Sequence, residues 1–225
     1  MKQSVKTLLL KPDSGTACAS FLIYNSSFPM TELIFASANP NKAKEIQAAL
    51  PENFKVITMK EAGFAEDIPE PYQTLEENAQ HKARTVARTL QVNCFAEDTG
   101  LETDALQGAP GVRSARYAGD EANDRKNIEK LLHELGNNPQ RKARFKTVIV
   151  LILNGEEYFF TGICEGEIQV SPSGSAGFGY DPIFIPTGAA KTFAEMTLEE
   201  KNTFSHRKKA LSKMIAFLKE RNNAD

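Results

Sequence analysis

After residue 30 the chain alternates short apolar runs with longer amphipathic segments, a pattern typical of strands and helices that follow one another. Residues 33–36 and 54–58 are compact apolar runs that predict strands, and residues 43–50 between them predict a helix. Thr74, with Glu77 three residues later, predicts a capping box that opens a second, longer helix. The apolar stripe of that helix consists of Leu75, Ala79, Val86 and Leu90.

The second half of the chain adds a hairpin and two more helices. Residues 94–96 predict a strand, and residues 124–135 predict a helix. The β-rich residues 144–153 and 157–166 flank Asn154-Gly155, which is a strong hairpin signal. Residues 205–218 predict the last helix. Its buried face, spaced i, i+3, i+4 and i+7, is formed by Leu211, Met214, Ile215 and Leu218. These elements predict an α/β fold whose mixed sheet is elongated by the hairpin.

Composition narrows the class of protein. The chain has 225 residues, of which 41% are hydrophobic and 25% charged, as expected for a soluble globular protein. Its formal net charge of -2 argues against a general nucleic-acid binder, which would show a strong basic excess. Three scattered cysteines without a CxxC motif indicate a reduced, cytoplasmic protein. No apolar run approaches the roughly 20 residues that a membrane-spanning helix needs.

The first 29 residues differ from the rest of the chain. Their apolar runs are short and interrupted, and they contain no catalytic signal. Met30 stands directly before the first convincing strand. We therefore expect residues 1–29 to be a disordered extension or the product of an upstream start codon, and residues 30–225 to form the catalytic domain.

The first candidate site is the loop between the first strand and the first helix. A loop that enters a helix presents backbone N–H groups and the positive end of the helix dipole, so it attracts anions. Its candidate ligand-binding residues are Ser37, Ala38, Asn39, Pro40, Asn41 and Lys42. The loop lacks the GxxxxGK[ST] pattern of a P-loop, and an ordinary capped helix would look the same.

Two acidic residues are candidate metal ligands. Asp98 follows the strand predicted over 94–96, and we expect it at the strand end, where α/β folds place reactive groups. Glu70 lies in a proline-rich loop before the long helix. Two converging carboxylates could hold Mg²⁺, which prefers one or two carboxylates plus substrate phosphates. Asn78 and Lys82 are spaced i, i+4 on that helix and so share one face. Taken singly, each acid could equally be a solvated loop or turn residue.

A third candidate site lies near the C-terminus. Phe178 stands between Gly177 and Gly179, and Tyr180-Asp181-Pro182 follows at once. Lys201, His206 and Arg207 come about twenty residues later and supply donors suited to a phosphate or a base carbonyl. This order of residues predicts a pocket for a flat, anionic ligand such as a nucleotide, although the glycine turn alone is also typical of a purely structural turn.

Several blocks occur in an order that closely resembles the inosine triphosphate pyrophosphatase family, the house-cleaning enzymes for non-standard purine nucleoside triphosphates. The resemblance covers roughly residues 32–218. Besides residues 37–42, the matching blocks are Glu77-Asn78-Ala79, Lys82-Ala83-Arg84, Glu97-Asp98-Thr99-Gly100-Leu101, Gly108-Ala109-Pro110-Gly111, residues 114–119, residues 177–181, Glu200-Lys201-Asn202 and Ser205-His206-Arg207.

The resemblance implies an elongated α/β fold of two lobes around a central nucleotide-binding cleft, with flanking helices and usually a homodimer. It implies Mg²⁺-dependent hydrolysis of inosine triphosphate (ITP), dITP and xanthosine triphosphate (XTP) to the monophosphate and pyrophosphate. By position, Asp98 resembles the general base and a metal-linked acid, and Glu70 a metal ligand. The residues that resemble triphosphate contacts are those of 37–42, Lys82 and Thr99. Those that resemble the nucleotide and base pocket are Phe178, Gly179, Tyr180, Asp181, Lys201, His206 and Arg207. Arg116 lies in the matching Ser-Ala-Arg-Tyr block.

Two departures from the family pattern stand out. Residues 37–40 read Ser-Ala-Asn-Pro where the family often has Thr-Gly-Asn, and Pro40 lacks an N–H donor. The N-terminal extension is also atypical.

The donors in the pocket predict its purine preference. Hypoxanthine and xanthine carry a 6-oxo acceptor, so Arg207 or His206 aimed at that edge would favour them over adenine.

Two other functions stay open at this stage. The related septum-associated nucleotide pyrophosphatases would act on pyrimidine or modified nucleotides. A regulatory protein could bind a nucleotide without turnover, although Glu70 together with Asp98 argues against pure binding.

Overall fold

The structure is a computed structural model that describes residues 31–37, 39–50, 52 and 54–222. The predicted extension over residues 1–29 and the candidate residue Ala38 lie outside the described residues.

The described chain forms one mixed sheet of seven strands. The strands are β1 (Thr31–Phe35), β2 (Phe54–Thr58), β3 (Cys94–Thr103), β4 (Pro110–Gly111), β5 (Lys142–Leu153), β6 (Glu156–Ile168) and β7 (Phe184–Pro186). Their order is β2-β1-β3-β5-β6-β7, with β4 on the far end of β3. Strand β1 pairs in parallel with β2 and β3, and the remaining pairs are antiparallel. The predicted α/β fold with an elongated mixed sheet is confirmed.

Five α-helices flank the sheet in the described part of the chain. They are α1 (Pro40–Ala49), α2 (Leu75–Leu90), α3 (Asp124–Leu135), α4 (Leu198–Phe204) and α5 (His206–Asn222). The short helix α4 was not predicted; Ser205 separates it from α5. Thr74 caps α2 as expected, its hydroxyl accepting from the backbone N–H of Glu77. The Glu77 carboxylate, however, accepts from the Thr74 hydroxyl, so the reciprocal backbone bond of a capping box is replaced.

One prediction about β3 is wrong. The strand does not end before Asp98 but continues to Thr103, because every residue from Cys94 to Thr103 pairs with β5. Asp98 therefore lies in the middle of a central strand. Side chains alternate across a strand, so Glu97 and Asp98 point to opposite faces of the sheet.

The long hairpin passes through three apolar clusters. Val148, Val150 and Ile152 of β5 pack beneath α2, whereas Ile149 and Leu151 face α1 and α5 on the other side of the sheet. Residues near the start of β5, such as Phe145, belong to a third cluster with α3 and β7. One half of the sheet is thus covered on both faces, and the other half has a core of its own.

Gly162 in β6 lets α5 approach the sheet closely. A Cβ atom at this position would lie 2.0 Å from the carbonyl oxygen of His206 and 2.5 Å from the backbone nitrogen of Ala210. Only glycine leaves room for a backbone at that distance. The first turn of α5, with His206 and Arg207, is thereby held against the middle of the sheet.

Candidate active site

A cleft of about 750 Å³ lies at the junction of these elements. It contains every candidate residue that the structure describes. These are Ser37, Asn39, Pro40, Asn41, Lys42, Glu70, Lys82, Asp98, Thr99, Arg116, Phe178, Gly179, Tyr180, Asp181, Lys201, His206 and Arg207. Residues far apart in the sequence therefore line one cavity, whose volume is in the range of sites for small molecules.

The loop before α1 differs in detail from the expected anion site. The Asn39 side chain caps the helix and accepts from the backbone N–H groups of Asn41 and Lys42, at 3.0 and 3.2 Å. Pro40 occupies the first helical position and has no N–H to offer. Since these backbone donors are used or missing, an anion here would be held mainly by side chains, with the Lys42 ammonium supplying the positive charge.

Glu70 and Asp98 converge on one ammonium group. The Lys82 Nζ lies 2.5 Å from Glu70 Oε1 and 3.1 Å from Asp98 Oδ1. Lys82 and Asp98 are buried, and Arg116 Nη1 lies 3.8 Å from the second oxygen of Glu70. The predicted convergence of two carboxylates from separate elements is thus present, and α2 supplies the cation between them.

The charges in this cluster shift one another's pKa values. Burial acts to raise the pKa of Glu70, but the positive charge of Lys82, helped by Lys42 and Arg116, holds it below its usual range. Burial favours the neutral amine of Lys82, yet Asp98 and Glu70 outweigh it, so the pKa of Lys82 is raised. Burial raises the pKa of Asp98, and Lys82 offsets that effect only in part. The two carboxylates therefore shift in opposite directions, the pKa of Glu70 downward and that of Asp98 upward.

The acid pair has the chemistry of a partial site for a divalent cation. Glu70 and Asp98 each place one oxygen on the Lys82 ammonium, and an ion such as Mg²⁺ needs only one or two carboxylates when phosphates and water supply its remaining ligands. Among the described residues, no group of three or more His, Cys, Asp or Glu side chains could hold a metal ion. The protein therefore contributes at most two acidic ligands here.

The other end of the cleft is built on a tight turn. Gly177 has φ of +78°, and a Cβ there would lie 2.1 Å from Asp181 Oδ2. This lets the Asp181 carboxylate fold back and accept from the backbone N–H of Phe178 at 2.9 Å and from Lys201 Nζ at 2.7 Å. Asp124, at the start of α3, accepts from the backbone N–H of Gly179 at 2.7 Å. The turn is thus held from both sides, with Phe178 at its tip.

Aromatic and cationic groups meet around Phe178. The Lys201 ammonium lies 5.3 Å from the centre of the Phe178 ring, and the Arg207 guanidinium lies 5.8 Å from it. The buried His206 ring stacks on Phe145 with centres 4.7 Å apart. Burial, and then the charges of Arg207 and Lys201, lower the pKa of His206 well below its ordinary value, so the imidazole is neutral at physiological pH. Its Nδ1 has no hydrogen-bond partner among the described residues.

Arg207 is more constrained than its expected role as a free donor implied. Its Nε and Nη2 donate to the two oxygens of Glu97, at 2.8 and 3.1 Å, and its Nη1 donates to Glu45. Nη2 also lies 3.4 Å from Thr99 Oγ1, so Arg207 borders the acid pair as well as the base pocket. Within the part of the chain that the structure describes, Glu45 is the one hydrogen-bond partner of Nη1, and Arg207 lines the cleft.

Sequence reasoning gave no role to Glu45 and Glu97. Both are buried, and both pair with cleft cations. Glu97 was adjacent to Asp98 in a recognised block. Glu45 lies three residues after Lys42 on α1, the spacing that places two side chains on one helix face. That spacing was the available signal, but nothing local distinguishes such an acid from a solvated one.

The chain is similar to several known proteins. The model of the Ham1 family matches residues 33–217. A dITP/XTP pyrophosphatase of Christiangramia forsetii is 51% identical over 187 residues, which cover 83% of this chain and 98% of the relative. One of Bacillus subtilis is 46% identical over 193 residues, covering 84% and 98%. The solved structure of the Staphylococcus aureus Ham1 protein superposes with a TM-score of 0.77 at 40% identity, covering 85% of this chain and all of that one.

Proposed function

The chain belongs to the Ham1 family, and from that premise we propose that it hydrolyses non-standard purine nucleoside triphosphates to the monophosphate and pyrophosphate. The substrates are ITP, dITP and XTP. The observation that carries the proposal is that one cleft joins an acid pair around Lys82 to an aromatic, cation-rich pocket around Phe178. A nucleoside triphosphate has both matching parts, a chain of phosphates and a flat base.

Mg²⁺ is the proposed cofactor, with Glu70 and Asp98 as its protein ligands. When bound, it would neutralise part of the roughly four negative charges of the triphosphate and make the α-phosphorus more electrophilic. The support from this chain is the two carboxylates that each place one oxygen on the buried Lys82 ammonium.

Different residues of the cleft have different roles in the reaction. Asp98 accepts the proton of the attacking water, a contribution of roughly 10²–10⁴-fold for a general base. Lys42, Lys82 and Arg116 stabilise the negative charge that develops on the departing pyrophosphate. Ser37, Asn39 and Thr99 position the phosphates. No covalent nucleophile is needed.

Base selection depends on the groups around Phe178. The ring of Phe178 stacks on the purine, and Lys201 and Arg207 donate to a 6-oxo group. His206 is neutral, so one ring nitrogen donates and the other accepts. Adenine would place a 6-amino donor against these donors and leave buried groups unpaired, which can discriminate by up to about 10⁴-fold.

The assembly and the cellular location belong to the same proposal. Among the described residues, no helix is long and apolar enough to cross a membrane. We propose a cytoplasmic enzyme that binds neither nucleic acid nor membrane and acts as a homodimer. Phe159 and Ile163 support the dimer, because they share one face of β6 and are 47% and 40% exposed. Light scattering should give a dimer mass for the wild type and a monomer mass for Phe159→Glu; a monomeric wild type would refute the dimer.

Pyrophosphate release from a panel of nucleotides tests the proposed reaction. The enzyme is incubated with ITP, dITP, XTP, ATP, GTP or UTP, with and without Mg²⁺. We expect kcat/KM for the first three to exceed that for ATP and UTP by at least about 10²-fold. A preference for UTP would indicate a pyrimidine-directed enzyme. Binding of ITP without release of pyrophosphate in a single turnover would indicate a regulatory protein.

A further inference from the structure

A continuous chain of charges, buried except for the partly exposed Lys42 at one end, joins the two ends of the cleft. Its signs alternate, so that neighbouring members pair with each other. From the phosphate end to the base end, its members are Lys42, Glu97, Arg207, Glu45, Lys201 and Asp181. Three cations and three carboxylates balance, which is how a protein tolerates so much buried charge.

Glu97 contacts one cation from each end of the cleft, Lys42 at the phosphate end and Arg207 at the base end. Its Oε1 lies 3.3 Å from Lys42 Nζ and 3.1 Å from Arg207 Nη2, so one oxygen atom contacts both cations. The same carboxylate holds the guanidinium through two parallel bonds, the arrangement that fixes an arginine most firmly. The side chain of Glu97 is fully buried, so water cannot take over either contact.

This arrangement ties a phosphate-binding group to a base-binding group. If Arg207 turns toward a purine 6-oxo group, its bonds to Glu97 change, and the charge that Glu97 presents to Lys42 changes with them. Loss of the Arg207 bonds leaves the Glu97 carboxylate less compensated, so it would hold Lys42 more tightly and away from the phosphates. Neighbours in one buried ionic network do not act independently, and their mutational effects are not additive.

We propose that Glu97 is a positioning residue that couples recognition of the purine base to binding of the phosphates. The proposal rests on the proposed function and deepens it. Discrimination between bases would then be expressed in the phosphate-binding step as well as in base contacts. A base that Arg207 can contact without leaving Glu97 would leave Lys42 free for the substrate, whereas a base that draws Arg207 away would leave Lys42 paired with Glu97.

The direct test is a mutant cycle on kcat/KM for ITP. Lys42→Met, Arg207→Gln and the double variant are measured in the wild-type background and again with Glu97→Gln. In the wild-type background, the loss of kcat/KM in the double variant should be smaller, by about fivefold or more, than the product of the losses in the two single variants. With Glu97→Gln, the losses should multiply to within about twofold. Multiplicative losses in the wild-type background, or the same coupling without the Glu97 charge, would overturn the proposal.

A second measurement does not depend on hydrolysis. Sodium tripolyphosphate has no base, so it cannot make the contact proposed between Arg207 and a purine. We nevertheless expect Arg207→Gln to weaken its binding at least about threefold by calorimetry, because an uncompensated Glu97 would hold Lys42 more tightly. The matched control is Arg144→Gln. It breaks an ion pair with Glu102, which is on the same strand as Glu97 but outside the cleft, and it should leave tripolyphosphate binding unchanged.

The outcomes separate the two proposals. Unchanged tripolyphosphate binding in Arg207→Gln would overturn the coupling even if ITP is hydrolysed. Coupled binding without any pyrophosphate release from ITP would support the role of Glu97 and refute the proposed reaction. Should Arg207→Gln not fold, Arg207→Lys replaces it with a smaller expected loss, since lysine keeps the charge beside Glu97 but loses the two-pronged contact; binding unchanged from the wild type would again overturn the coupling.

Discussion

Replacing Asp98 by asparagine should separate catalysis from folding. The substitution is nearly isosteric, and Asp98 is buried in the middle of β3, where the backbone pairing with β5 does not depend on the side chain. It removes the carboxylate whose pKa burial raises, which is the proposed proton acceptor. We expect kcat for ITP to fall by about 10²–10⁴-fold. That loss corresponds to roughly 3–5 kcal/mol in the activation barrier.

The effect on stability should be much smaller. Lys82 keeps its 2.5 Å contact with Glu70, so the buried ammonium is not left without a partner. A lost charge-assisted hydrogen bond costs about 1.5–3 kcal/mol. This cost is partly offset because asparagine no longer buries a negative charge, and the raised pKa of Asp98 reflects how unfavourable that burial is. We therefore expect the free energy of unfolding to change by about 2 kcal/mol or less, and Tm by under about 8 °C.

The assay pairs pyrophosphate release with thermal unfolding of the same preparation. Asp104→Asn is the matched control, because Asp104 follows the same strand, is half-exposed and lies outside the cleft. It should retain wild-type kcat. If Asp98→Asn keeps more than about a tenth of the wild-type kcat, Asp98 is not the general base. If instead the variant is unfolded, the argument that Glu70 alone satisfies Lys82 is wrong.

Three further predictions concern α5, the pH dependence of stability and the N-terminus. Gly162→Ala should push the start of α5 away from β6, cost about 1–3 kcal/mol of unfolding free energy and reduce ITP turnover; unchanged Tm and kcat would contradict the 2.0 Å approach to His206. Burial, with Arg207 and Lys201, depresses the pKa of His206 in the folded state, so the unfolded chain binds more protons and stability should fall as pH drops below the ordinary value of about 6.5. The free energy of unfolding, measured with urea at several pH values in this range, should rise with pH, and His206→Gln should reduce that slope by up to about 1.4 kcal/mol per pH unit. An identical pH slope in both proteins would exclude His206 as its source. Deletion of residues 1–29 should leave kcat and Tm unchanged, because every recognised block begins after Met30; a fall of several degrees in Tm would show that those residues pack on the domain.

The sequence predicted most of the secondary structure because the relevant patterns are local. The period of apolar residues identified α2 and α5, and Asn154-Gly155 placed the hairpin between β5 and β6. The sequence did not predict how far each strand extends. The extension of β3 through Asp98 to Thr103 depends on pairing with β5, some fifty residues later in the chain, and polar residues such as Glu97 and Thr99 do not resemble a strand by themselves.

The candidate site was predictable as a set of residues but not as an arrangement. The order of the recognised blocks was enough to name side chains that the structure then brought into one cleft, apart from Ala38, which lies outside the described residues. What each side chain contacts was not contained in that order. Asn39 occupies two backbone donors that we expected the loop to offer to a phosphate, and Lys82 lies between two expected metal ligands.

Only the tertiary structure decided how charge is distributed in the cleft. Glu97 and Arg207 are 110 residues apart in the chain, yet they form a two-pronged buried pair because α5 packs against the sheet at Gly162. Local sequence determines whether a segment is helix or strand through patterns of a few residues. The pKa of a carboxylate and the partner of an arginine depend instead on which distant groups share the same low-dielectric space, and that is settled only when the sheet and its helices have assembled.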